Sequence, residues 1–230
     1  MYKLIMFDFA DTIACQVPTK VSILQDFIFN EIKITIDMKK IESIYHFMDN
    51  TNFYSSVEIK DQRSKKEYYD QYNEKVFRLL GLSHSIDITK YYSYFSKREK
   101  KWILKEGVYE LLKELYHSKY IISLVSNFDT RLEDILDNLG VKTFFNSIVI
   151  SQKENLEKPN EAFFKIALKK HGIDTQKTLF LGDSYCLDFF PTKAMGIRAI
   201  LLDEGCYYPY VDSHDKIKNI LELRKILVNL

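Results

Sequence analysis

Apolar residues in this chain follow two different rhythms. From about residue 107 onward, short solid apolar runs alternate with stretches in which apolar residues recur every three or four positions. The solid runs, Tyr120 to Val125, Ser147 to Ile150, Thr178 to Leu181 and Arg198 to Leu202, read as buried strands. A further run of the same kind, Leu4-Ile5-Met6-Phe7, stands near the start. Between the runs, Gly107 to His117 carries apolar residues at 108, 111, 112 and 115, a helical period. Arg131 to Leu139 repeats it and stops at Gly140, where a left-handed cap fits. Pro159 to His171 predicts a helix with proline in its first turn and Gly172 just past its end. A short helix runs to Ala194 before Gly196, and a final amphipathic helix is expected from about Asp215. This alternation implies an α/β fold: a Rossmann-like parallel sheet with helices on both faces.

The stretch from about 15 to 104 has the helical rhythm alone and no convincing strand. Val21, Leu24 and Ile28 form one stripe, and Ile41, Ile44, Tyr45 and Met48 a second. Tyr68, Tyr69, Tyr72, Val76 and Leu79, closed by Gly81, form a third, and Tyr91, Tyr92 and Phe95 a fourth. These spacings predict a four-helix bundle inserted after the first strand, with the tyrosines in its core rather than around a ligand. The expected division is a core of residues 1–14 and 105–230, and a helical cap of residues 15–104.

Composition narrows the class. The chain has 230 residues, is 46% hydrophobic and 28% charged, and carries a formal net charge of +1. That balance gives no electrostatic reason to expect nucleic acid or a membrane as partner. The basic clusters Arg63-Ser64-Lys65-Lys66 and Lys97-Arg98-Glu99-Lys100-Lys101 read as solvated helix faces. Cys15, Cys186 and Cys206 are odd in number and lack a CxxC spacing, which fits a reducing, cytoplasmic setting. No apolar run approaches the ~20 residues of a membrane span, and the first segment reads as a core strand rather than a signal peptide. The histidines at 46, 84, 117, 171 and 214 show no ligand spacing and are expected at the surface or at helix ends.

Chemistry concentrates where strands end. Asp8 closes the first strand within Phe7-Asp8-Phe9-Ala10-Asp11-Thr12. Such a carboxylate sits at the carboxyl end of a sheet, where open α/β folds place their ligands. Ser126 and Asn127 end the next strand before a helix that begins near Asp129, where a hydroxyl and backbone N–H groups can meet a phosphate. Lys158-Pro159 opens a helix, and Lys158 is a point cation suited to phosphate. Gly182-Asp183-Ser184-Tyr185-Cys186-Leu187-Asp188 follows another strand. Its two carboxylates, with Asp8, have the oxygen ligands that Mg²⁺ takes while keeping its waters.

These four segments, in this order, resemble the motifs of the haloacid dehalogenase superfamily. The resemblance spans nearly the whole chain if the helical insert is the cap that follows the first motif. Val125-Ser126-Asn127-Phe128-Asp129 with Arg131-Leu132-Glu133, and the Asp183–Asp188 segment, are most similar to the subgroup named haloacid dehalogenase-like hydrolase domain-containing protein 3. The first motif is Asp-x-Asp-x-Thr in the family, and here its second aspartate is Ala10.

The resemblance implies a Mg²⁺-dependent phosphohydrolase of a small phosphorylated metabolite, working through an aspartyl-phosphate on Asp8. Lys158 would assist, and Ser126, Asn127 and Lys158 would hold the phosphoryl oxygens. Asp8, the Ala10 carbonyl and Asp183 would ligate the metal, with Asp188 acting through water or orienting Lys158. Ala10 supplies a backbone carbonyl as well as aspartate does, but it cannot protonate a leaving group or activate water. That loss is worth about 10²–10⁴ in rate. Alternating side-chain directions argue against rescue by Asp11, which stands where the family usually has glycine. Weak phosphatase activity is therefore expected, favouring leaving groups of low pKa. The alternative is an impaired protein that binds a phosphate ligand or a protein partner. A 2-haloacid dehalogenase, also an aspartate-nucleophile enzyme, has no use for the Gly182-Asp183 pair. Nothing in the sequence separates monomer from homodimer.

Overall fold

The protein is described from a computed structural model covering residues 1–50 and 62–227. In chain order, β1 (Leu4–Phe7) and β2 (Ala14–Val17) precede helices α1 (Lys20–Ile32), α2 (Met38–Asn50), α3 (Gln62–Leu80) and α4 (Tyr91–Lys97). Next come β3 (Lys101–Leu104), α5 (Val108–His117), β4 (Ile121–Ser126), α6 (Leu132–Asn138), β5 (Ser147–Ile150) and α7 (Ser151–Glu154). The chain then forms α8 (Glu161–His171), β6 (Thr178–Gly182), α9 (Phe190–Ala194), β7 (Arg198–Leu202), β8 (Lys216–Ile217) and α10 (Leu223–Ile226). Two compact units result, one of residues 1–15 and 102–230, the other of residues 16–101.

The first unit holds a parallel sheet in the order β5-β4-β1-β6-β7-β8. β1 lies inside it: Leu4 to Phe7 pair with Ile121 to Leu124 on one side and Thr178 to Leu181 on the other. A strand so placed must be apolar on both faces, which explains the unbroken run. Ile5 and Phe7 pack with Val108, Leu111, Leu112 and Leu115 of α5. Leu4 and Met6 pack with Phe163, Phe164 and Ala167 of α8. Each such buried side chain stabilises the fold by about 1.5–3 kcal/mol. At α8, the Asn160 side chain accepts from the Ala162 N–H at 2.9 Å, and Gly172 closes the helix in the left-handed conformation. The α/β class and the parallel sheet with helices on both faces are as the sequence predicts.

In the second unit, Val21, Leu24 and Phe27 of α1, Ile41, Tyr45 and Met48 of α2, Val76, Phe77 and Leu80 of α3, and Tyr91 of α4 share one core. Four helices occupy its described residues, as expected; residues 51–61 lie outside them.

Four expectations need correction. The 15–104 stretch does contain strand: β2 and β3 pair as a two-stranded sheet. Each has only four residues, too few for a period-2 signal to stand out. The final helix does not start at Asp215; β8 and a 3₁₀ turn at Ile220–Glu222 come first. Ile217, Ile220, Leu223 and Leu227 are all buried, so strand, turn and helix together imitate a helical stripe. The inward face of α3 is rotated, with Asn73, Val76, Phe77 and Leu80 buried and Leu79 and Tyr69 exposed. Finally, α8 begins at Glu161 rather than Pro159, because Asn160 caps it.

Candidate active site

The predicted residues gather at the carboxyl edge of the sheet. Asp8 follows β1, Ser126 ends β4 and Asp183 follows β6. Asp188 lies in a π-helical turn, Tyr185–Phe189, whose start is capped by the Ser184 side chain accepting from the Leu187 N–H. Such turns aim side chains in ways a regular helix does not.

Lys158 sits at the centre and is 4% exposed. Its Nζ donates to Asp8 Oδ1 at 2.5 Å and to Asp188 Oδ1 at 2.6 Å. Asp188 Oδ2 accepts from the Ser184 N–H at 3.2 Å, and the Thr12 hydroxyl donates to Asp183 Oδ1 at 3.3 Å. Oxygens of Asp8, Asp183 and Asp188 all lie within 4.8 Å of one another. Burial, then the charges of Asp8, Asp11 and Asp188, push the Asp183 carboxyl well above the ordinary carboxylate range. Burial raises Asp188 to about 6 against the opposing pull of Lys158. Burial alone would lower Lys158, but Asp188 and Asp8 outweigh it and hold the ammonium above its ordinary pKa. When all are ionised, three carboxylates face one ammonium, and a divalent cation balances the excess. An all-oxygen donor set of this charge fits Mg²⁺.

The shell around these groups was less legible. The Asn127 side chain donates to the Lys158 carbonyl at 3.0 Å and accepts from the Lys158 N–H at 2.8 Å. This two-bond clip fixes the backbone that carries the central lysine, a use of Asn127 that its place in a turn did not announce. Gly182 has a steric reason to be glycine: a Cβ there would stand 2.4 Å from Asp188 Oδ2. The sequence marked Gly182 only as part of a turn.

Ala10 and Asp11 form the other flank. Ala10 is partly exposed and bridges to Ala14. Asp11 is exposed and left-handed, with φ of 57°, which explains how a position suited to glycine accepts aspartate. Its N–H donates to the Ala14 carbonyl at 2.8 Å, and its carbonyl accepts from Lys105 Nζ at 2.6 Å. Lys105 also pairs with Glu204 at 2.7 Å. Sequence reasoning missed Lys105 and Glu204: Lys105 joins Asp11 to Glu204 across nearly a hundred residues of chain on either side. The cysteines at 15, 186 and 206 are not joined in disulfides. His171 departs from a plain helix-end role: its Nε2 meets Ser147 Oγ at 2.9 Å and Ser123 Oγ at 3.2 Å. No helix among the described residues is long and apolar enough to cross a membrane.

Known proteins share parts of this sequence and its fold. Haloacid dehalogenase-like hydrolase domain-containing protein 3 of Mus musculus is 32% identical over 130 residues, 55% of this chain and 51% of that protein. Glyceraldehyde 3-phosphate phosphatase of Methanocaldococcus jannaschii is 33% identical over 98 residues, 41% of this chain and 43% of that protein. The matches thus span about half the length of these curated relatives or less. The magnesium-bound HAD-hydrolase YfnB of Bacillus subtilis shares the fold, with a TM-score of 0.65 at 19% identity, over 100% of this chain and 99% of its own. The family model described as haloacid dehalogenase-like hydrolase matches residues 5–202, from the first strand of the sheet to the end of β7, and the chain belongs to that family.

Proposed function

We propose that this protein is a Mg²⁺-dependent phosphatase of a small phosphorylated molecule, with Asp8 as nucleophile and an activity limited by Ala10. The observation that carries the reading is the lysine-centred trio of carboxylates at the sheet edge. The phosphatase named among its relatives, and the magnesium held by the B. subtilis hydrolase, support it.

In this mechanism the Asp8 carboxylate attacks phosphorus, the phosphorus–oxygen ester bond breaks, and the leaving oxygen takes the bonding pair. Water then attacks the phosphorus of the aspartyl-phosphate, releasing inorganic phosphate and restoring Asp8. Lys158 neutralises charge on Asp8 and on the phosphoryl oxygens. The Ser126 hydroxyl and the Asn127 backbone N–H donate to the remaining oxygens, while the Asn127 side chain keeps Lys158 in place. Asp8, Asp183 and the Ala10 carbonyl would hold Mg²⁺. Asp188, with one oxygen on Lys158 and the other on the Ser184 N–H, orients the lysine and would reach the metal through water. Bound there, Mg²⁺ supplies neutralisation of the transferring group's charge. At position 10 the chain has a methyl group and no proton to give, so the leaving oxygen departs unprotonated and takes its proton from solvent.

The test is hydrolysis of an aryl phosphate with and without Mg²⁺ by the parent and by Asp8→Asn. Loss of about 10³-fold or more in kcat is expected for the variant; an unchanged rate would show that Asp8 is not the nucleophile. Ala10 also favours a second reading, a binding protein without turnover. Calorimetric binding of Mg²⁺ and phosphate, with no hydrolysis across a broad phosphate panel, would establish it.

A further inference from the structure

Three aromatic rings pack on one another, two of them from residues that directly follow the predicted site residues Asp8 and Asn127. Phe9 is the residue after Asp8, and Phe128 the residue after Asn127. Trp102 completes a triangle with centroid distances of 4.8 Å to Phe9 and 5.6 Å to Phe128, and Phe9 and Phe128 meet edge to face at 5.6 Å. Phe9 is fully buried and anchors the group, whereas Trp102 and Phe128 stay partly open. Ala10 packs on the same apolar cluster and is also partly open. All four residues belong to the same compact unit as Asp8. Where the family's first motif has a carboxylate, this chain therefore has a methyl group packed on an apolar cluster.

Two independent features point to one substrate class. The missing acid at position 10 favours a leaving group that departs without a proton. Phenols, with a pKa of about 10, do so far more readily than aliphatic alcohols. The partly exposed Trp102 and Phe128 favour a leaving group that is itself a ring, since aromatic pairs gain beyond their buried area. We infer that Ala10, Trp102 and Phe128 form an apolar leaving-group subsite and that the substrate is a small aryl phosphate. This rests on the phosphatase reading and specifies it. In the first step Asp8 displaces an aryloxide, which carries the phosphorus–oxygen bonding pair and then takes a proton from solvent. In the second, water cleaves the acyl phosphate to phosphate and free Asp8.

Trp102 is the single tryptophan of the chain, so its fluorescence reports on this subsite alone. The full chain with Mg²⁺ is titrated with phenylphosphonate and with methylphosphonate, which differ only in the ring. Phenylphosphonate should bind about 5-fold more tightly and change Trp102 emission, and Phe128→Leu should remove most of that preference. In parallel, calorimetry on Trp102→Leu should show near-equal binding of the two phosphonates. Turnover gives a second arm: Phe128→Leu should raise KM for phenyl phosphate about 5-fold and leave ringless acetyl phosphate within twofold. Equal binding of the two phosphonates by the parent, or equal loss on both substrates, would overturn the aryl subsite while leaving the phosphatase reading intact. Failure to bind either phosphonate, with no turnover of either ester, would overturn both.

Discussion

The two units solve the problem of burying polar groups in opposite ways. In the inserted unit, tyrosine hydroxyls in and beside the core find partners close at hand. The Tyr45 and Tyr91 hydroxyls lie 3.3 Å apart within the core, and the Tyr72 hydroxyl donates to Asp49 at 2.8 Å. Burial pushes the Tyr45 hydroxyl up to about 12, so it remains neutral. The sheet unit also buries charged groups, and their partners come from distant parts of the chain: Asp8, Lys158 and Asp188. Hydroxyl pairs give a core its geometry at little cost. Buried carboxylates facing too few cations cost stability, and a fold retains them where charge has work to do. The contrast assigns chemistry to the sheet edge and shape to the bundle.

Removing the central cation should break the contrast most severely. Lys158→Met leaves two buried carboxylates without their ammonium and should destabilise the metal-free protein by about 3–5 kcal/mol, read by urea unfolding. Tyr45→Phe in the bundle removes a neutral hydroxyl partner and should cost only about 1 kcal/mol. Comparable losses in the two variants would erase the distinction.

Asp183→Asn sharpens the contrast from the other direction. A carboxyl whose folded pKa is raised favours folding below its unfolded pKa of ~3.9, and that benefit is lost as pH rises through the folded value. Chelator-treated Asp183→Asn should therefore melt a few degrees above the parent at pH 8, about 2–4 °C, with a smaller gap at pH 5. A lower melting point for the variant at pH 8 would contradict the crowding of charge seen here.

The smallest effect concerns His171. Burial, helped by the Lys170 charge, lowers its pKa. A lowered histidine contributes stability that is present above its unfolded pKa of ~6.5 and lost as pH falls through the folded value. Acidification from pH 7.5 to 5.5 should therefore cost less than about 1 kcal/mol through this residue. His171→Gln should flatten that part of the curve in denaturation series, and an unchanged slope would remove His171 from the pH response.

How far the sequence carried depended on the range of the signal. The strands of the sheet were legible because both faces of β1, β4 and β6 are covered, so their apolar runs are unbroken. The stripe at 108, 111, 112 and 115 was legible because all four residues are fully buried. Four-residue β2 and β3 were not, and two-residue β8 hid inside a helix-like spacing. At the site, Asp8 and Asp183 stood out because each follows a strand, Ser126 because it ends one, Lys158 because it precedes a helix, and Asp188 because it shares a segment with Asp183. The Asn127–Lys158 clip, the Gly182–Asp188 approach and the Asp11–Lys105–Glu204 contacts left no mark in spacing. They depend on which loops meet in space, and only coordinates reveal that.

The central claim is that phosphoryl transfer occurs at Asp8 and is limited by the lack of an acid at position 10. The most direct measurement is turnover of an alkyl and an aryl phosphate by folded Ala10→Asp beside the parent. The account predicts a gain of about 10²-fold or more on the alkyl ester and a much smaller one on the aryl ester. No gain on either, or an equal gain on both, would show that position 10 does not limit the reaction in this way.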